Sequence, residues 1–111
     1  MRGCGRPILM LAALLTAAMT MPSRAAEPVP EVTGGFIAFC PAERQTAEFI
    51  QCAGRLGLVD ANRDCGIPQA MAMADAVPPV LQWLRQHPET HALSTDVGLR
   101  KALDSLWPCK R

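Results

Sequence analysis

The sequence predicts an all-α protein, a small helical bundle of three to four helices stapled by disulfides. Three observations carry that prediction. Apolar residues recur at helical spacing from about residue 43 onward. No segment alternates apolar and polar residues as a half-buried strand would. Four cysteines follow an N-terminal export signal, an even number in a short exported chain.

The export signal comes first in the chain. Arg2 and Arg6 give a positive start, residues 8–19 (ILMLAALLTAAM) are apolar, and Pro22 breaks the run. Ser23 and Ala25 then place small residues at −3 and −1 of a cleavage site after Ala25, the order of a secretory signal peptide over residues 1–25. A membrane anchor needs ~20 apolar residues, and this run is shorter. Cys4 lies ahead of the apolar run, where a lipid-bearing cysteine would not be, and leaves with the signal. The expectation is therefore a periplasmic protein with no stable membrane insertion after cleavage.

Cleavage also changes the charge. Arg2, Arg6 and Arg24 leave, so eight of the eleven basic residues stand against ten acidic ones and the net charge falls from +1 to −2. No basic run survives, which argues against nucleic acid as a partner, because that binding rests on neutralising phosphates. About 86 residues remain, enough for one domain with a thin core.

Each element follows in order. Residues 26–32 (AEPVPEV) are proline-rich and acidic and read as a flexible leader, leaving 33–111 as the helical domain. Thr33 is placed to cap a short helix carrying Phe36, Ile37 and Cys40, with Gly34 and Gly35 weakening it. Pro41 marks a break. A helix over about 43–60 is the clearest, with Phe49, Ile50, Ala53, Leu56 and Gly57 forming one stripe and Glu48, Gln51 and Arg55 opposite. Gly54 and Gly57 in it predict either a close-packed backbone neighbour or a bent helix. Residues 60–64 (DANRD) read as a polar turn. Residues 69–77 suit a helix, Pro78-Pro79 predicts a kink or a restart, and Val80, Leu81, Trp83 and Leu84 bury the inner face of a helix to Gln86. Ser94 or Thr95 caps a last helix, with Asp96 in its first turn and Leu99, Ala102, Leu103 and Leu106 on its inner face.

Cys40, Cys52, Cys65 and Cys109 read as a disulfide framework, since small cores generally need such staples. Three connectivities are open to four cysteines. An up-down-up order puts Cys65 and Cys109 at one end and leans toward Cys65–Cys109 with Cys40–Cys52. A straight helix from Pro41 would hold the second pair ~18 Å apart, so that pairing requires a turn between them. A zinc site is disfavoured: there is no CxxC pair, and His87 and His91 flank Pro88.

No catalytic residue and no cofactor site is predicted. GxSxG, HExxH, P-loop and dinucleotide fingerprints are absent, and the carboxylates are scattered. His87 reads as a helix-end residue facing carbonyls. Met71 and Met73, two apart, point to different sides of a helix. Flexible thioethers suit an adaptable binding surface, although ordinary core filling is the simpler reading.

Four pieces in order then resemble one family. Phe49-Ile50-Gln51-Cys52-Ala53-Gly54-Arg55-Leu56 is similar to an apolar residue followed by Cys-x-Gly-Tyr-Ile, and Cys65-Gly66-Ile67-Pro68 to a Cys-x-x-Pro. The stretch 83–89 (WLRQHPE) resembles an aromatic-Leu-x-x-His-Pro-Glu that closes a helix, and 102–109 (ALDSLWPC) an Ala-Leu…Phe-Pro-Cys end. Together they resemble the Rap/Tai-type immunity proteins, which protect bacteria against type VI secretion amidase effectors. Arg55 stands where the family has Tyr, Leu58 where it has Gly, and Pro78-Pro79 interrupts a helix that is otherwise smooth. The resemblance implies a periplasmic, often dimeric, non-enzymatic protein that binds a cognate amidase effector and occludes its active-site cleft. Candidate partner-binding residues are Met71, Met73 and Asp75 in one segment and Glu89 and His91 in another. The alternative is a small periplasmic stress or chaperone-like protein without a dedicated effector.

Overall fold

The computed structural model of the chain describes residues 28–110. These form four α-helices and no strand: α1 (Thr33–Phe39), α2 (Ala47–Ala61), α3 (Met73–Arg85) and α4 (Thr95–Leu106). A 3-10 turn, Pro88–Thr90, joins the last two. The domain is an all-α bundle with two disulfides, Cys40–Cys52 and Cys65–Cys109. The export signal lies outside the described residues.

Helix α4 touches all three of the others. Its inner residues Leu99, Ala102 and Leu103 are fully buried, as their spacing predicts. Ser94 caps it, its Oγ accepting the Val97 N–H at 3.4 Å. The neighbouring Thr95 turns inward instead and donates through Oγ1 to the Pro30 carbonyl at 2.6 Å.

Thr33 does not cap α1. It sits in the first turn, buried, with Oγ1 3.0 Å from the carbonyl oxygens of both Leu93 and Ser94. The first N–H groups of a helix have no partner within it. Here Thr33 N–H donates to the Leu93 carbonyl at 2.9 Å and Gly34 N–H to that of His91 at 3.0 Å. Segment 91–94 thus serves as the cap, a partner 60 residues away that no local pattern reveals.

The leader expected to be loose is fastened from Pro30 onward. Thr95 N–H donates to the Glu31 carbonyl at 2.8 Å, and Val32 forms an isolated antiparallel bridge with Ser94. Proline and acidic content describe the side chains of this segment, whereas its backbone carbonyls hold it in place.

Helix α2 starts at Ala47 rather than near residue 43, because Thr46 caps it by accepting the Phe49 N–H at 3.1 Å. The delay supplies the turn that the Cys40–Cys52 pairing needs, and the two Cα atoms lie 6.1 Å apart. Its inner face is rotated from the predicted stripe. Phe49, Cys52, Leu56 and Val59 are buried, while Ile50 is 62% exposed. Of the glycines, Gly54 faces open space and Gly57 faces the Met73 side chain, so neither marks a close-packed backbone.

The polar turn after α2 holds an ionic cluster. Arg63, its side chain 1% exposed, donates from Nη1 to Asp60 Oδ1 at 2.9 Å and from Nε to Asp104 Oδ1 at 3.0 Å. Nη2 donates to the Trp107 carbonyl. Asp60 Oδ2 also accepts the Ile67 N–H at 3.1 Å. A charge pattern typical of solvated loops therefore ties the turn to the end of α4.

Helix α3 is continuous through Pro78 and Pro79, with no restart at Pro79. The helix begins at Met73, after a turn closed by Met71 N–H on the Pro68 carbonyl at 2.9 Å, and runs through both prolines to Arg85. Each proline removes one helical hydrogen bond, a cost of ~3 kcal/mol or more. Ala76 and Val77 before them and Val80, Leu81 and Leu84 after them are all buried. At ~1.5–3 kcal/mol for each large aliphatic, keeping both sides in one packed face outweighs breaking at the prolines.

Candidate binding surface

The candidate partner-binding residues fall into two places. Asp75 is exposed in the first turn of α3 and pairs with Arg44 at 2.6 Å. Met71 and Met73 are half-buried and pack against the core, which matches the core-filling reading more than a free thioether surface. Glu89 is exposed in the 3-10 turn. The His91 ring is committed to structure, with Nε2–H donating to the Leu84 carbonyl at 2.8 Å. The two groups sit at opposite ends of α3, a helix of 13 residues and hence ~20 Å long. They do not make one surface.

His87 meets carbonyls at a helix end, as expected. Nδ1–H donates to the Trp83 carbonyl at 2.7 Å, and the ring stacks on Trp83 with centroids 3.7 Å apart. Trp83 Nε1–H donates to Ser105 Oγ at 3.0 Å. The indole thus links α3 to α4, while the imidazole closes the end of α3.

A different face carries the exposed apolar residues. On α2, Ile50, Gly54 and Leu58 recur every four residues along the solvent side, so two aliphatic side chains flank a notch. Leu58 is 65% exposed. Val97 of α4 lies across a shallow groove from it, and the groove is rimmed by Arg55, Asn62, Asp96 and Arg100. The chain arrives beside this face, with Pro28 and Val29 bordering the Gly54 notch.

Arg55 fixes the charge distribution there. Its Nη2 donates to Glu31 Oε1 at 2.5 Å and its Nε to Asp96 Oδ1 at 2.7 Å. These hydrogen bonds, Glu31's first and Asp96's second, raise the guanidinium pKa above its ordinary value despite partial desolvation. Arg55 is thus a fixed cation joining the segment before α1, α2 and α4. The face has an apolar centre and a charged rim, set on rigid helices. The hydrophobic-stripe reading missed it, because Ile50 was assigned to the core and Leu58 stood out only as a departure from the family pattern.

No family model matches the chain, and neither a curated protein nor a solved structure is significantly similar to it. Among the described residues no helix is long and apolar enough to cross a membrane. The two disulfides are those of a chain that matures in an oxidising compartment.

Proposed function

We propose that this protein is a periplasmic binding protein that neutralises a peptidoglycan amidase effector by occluding its active-site cleft. The observation that carries the reading is the exposed aliphatic face of Ile50, Leu58 and Val97 on a scaffold stapled twice. Occlusion requires no catalytic group. It requires a surface that keeps its shape while it excludes substrate, and staples lower the ordering cost of binding. The ordered resemblance to Rap/Tai-type immunity proteins, from Cys40 to Cys109, supplies the class of partner. The N-terminal export signal supplies the compartment in which that partner acts.

Co-expression tests the reading directly. The full-length gene should rescue cells producing an amidase-type hydrolase, encoded beside it, in the periplasm. Leu58→Glu should abolish rescue while the exported protein accumulates with both disulfides intact. Failure to protect against every neighbouring periplasmic hydrolase would end the proposal. Suppression of aggregation of unrelated denatured clients would point instead to a chaperone-like role.

A further inference from the structure

The two disulfides differ in a way that the bundle itself does not require. Cys40 and Cys52 are 5% and 0% exposed and belong to the hydrophobic core between α1 and α2. Cys65 and Cys109 are half-buried, and an open surface depression lined by Asp64, Cys65, Cys109 and Lys110 lies over them. The second bridge is therefore far more open to solvent than the first.

The second bridge also has a donor beneath it. Arg63 places Nη2 at 4.0 Å from both Cys65 Sγ and Cys109 Sγ. Nε and Nη1 are occupied by Asp104 and Asp60, and one Nη2 hydrogen goes to the Trp107 carbonyl. The other Nη2 hydrogen faces the sulfurs. A thiolate released at either position would form beside a buried N–H donor, which stabilises the leaving sulfur and speeds its departure. The rim distinguishes the two sulfurs. Asp64 precedes Cys65 and repels an approaching thiolate, whereas Lys110 follows Cys109 and attracts one.

We propose that Cys65–Cys109 is a thiol-exchange site for an external dithiol reductant, with Cys109 as the sulfur attacked, while Cys40–Cys52 is a closed structural bridge. The attacking thiolate forms a bond to Cys109 Sγ as the Sγ–Sγ bond breaks, and Cys65 leaves as a thiolate beside Arg63. The second thiol of the dithiol, deprotonated, then attacks its own sulfur in the mixed disulfide and expels the Cys109 thiolate. The dithiol loses two electrons and becomes a disulfide. The bridge gains them, and both cysteine thiolates take protons from water according to pH. Arg63 continues to hold the Trp107 carbonyl, so exchange frees the tail after Trp107.

The test uses the full oxidised protein and two probes, dithiothreitol for the dithiol and glutathione for trapping the mixed disulfide. After graded exposure, acid quenching and maleimide alkylation, peptide mass spectrometry reads each cysteine. Cys65 and Cys109 should become alkylated on the order of tenfold faster than Cys40 and Cys52. The glutathione adduct should sit on Cys109. Lys110→Glu, a change at an exposed residue remote from the core, should slow glutathione attack severalfold with no change in thermal stability. Equal rates for the two bridges, earlier opening of Cys40–Cys52, an adduct chiefly on Cys65, or a Lys110→Glu rate equal to wild type would each overturn the proposal.

Discussion

At Gly98 a single hydrogen atom decides how closely two helices meet. A Cβ built there would lie 2.2 Å from Thr33 Oγ1 and 2.9 Å from Thr33 Cγ2. Thr33 has nowhere to go, because its hydroxyl is held between the Leu93 and Ser94 carbonyls. Gly98→Ala is expected to destabilise the fold by about 1–3 kcal/mol despite the gain in helix propensity, as overpacking does. In denaturant titrations, combining it with Thr33→Ala should cost less than the sum of the two single changes, since the second removes the obstacle. Arg63 is the other residue on which much depends. Arg63→Met leaves Asp60 buried without its cation and the Trp107 carbonyl without its donor, and a loss of about 3–5 kcal/mol is expected in the same measurement. The signature that links this residue to a fold role was absent from the sequence. In DANRD every side chain but Ala61 is one that normally faces water, and only the arrival of Asp104 and Trp107 from 41 and 44 residues away makes Arg63 an interior group.

Among the elements, α3 and α2 teach opposite lessons about pattern. Pro78 is exposed and leaves the Ala74 carbonyl without its helical donor, so Pro78→Ala should stabilise the protein by roughly 1–3 kcal/mol, read as a higher melting temperature. A lower melting temperature would mean that proline's restriction of the unfolded chain outweighs the missing bond. The inner face of α3 was legible on both sides of the prolines. Its continuity was not, because local backbone preference argues for a break and only tertiary burial argues against one. In α2 the C-terminal boundary and the amphipathic character match the sequence reading, whereas the start lies four residues later and the inner face is rotated. Phe49 and Ile50 are adjacent, so spacing alone admits two neighbouring stripes. Cys52, bridged to Cys40 and fully buried, pulls the helix round so that Phe49, Leu56 and Val59 face inward and Ile50 does not. Counting Cys52 as a core residue as well as a staple would have selected the correct stripe. For α4 there is only one stripe to choose, with Leu99, Ala102 and Leu103 buried and Leu106 half-buried against the core.

Taken as a whole, the molecule has a thin core closed by two staples that act at different places. The Cys40–Cys52 bridge closes a loop of 12 residues and Cys65–Cys109 one of 44. The chain-entropy estimate gives about 3 and about 4 kcal/mol respectively, each comparable with a large share of the stability of so small a domain. Replacing Cys40 and Cys52 together by Ser should lower stability by more than that first figure, because two buried hydroxyls take the place of core sulfurs. Calorimetry of the oxidised double variant checks it. The exposed face behaves differently. Leu58→Glu and Ile50→Glu lie on the solvent side and are expected to change stability by less than about 0.5 kcal/mol, so any loss of partner binding they cause would belong to the surface alone.

The docking of residues 30–32 against Ser94 and Thr95 has a practical consequence for anyone handling this protein. Pro28 and Val29 border the Gly54 notch beside Leu58, so a handle joined at that end starts next to the exposed α2 face. An affinity handle at that end would shade the very face a bait must present, and a negative capture experiment with such a fusion would report on the handle. Gln82 and Arg85 of α3 are exposed and take no part in the groove between Leu58 and Val97, so attachment there leaves that groove uncovered.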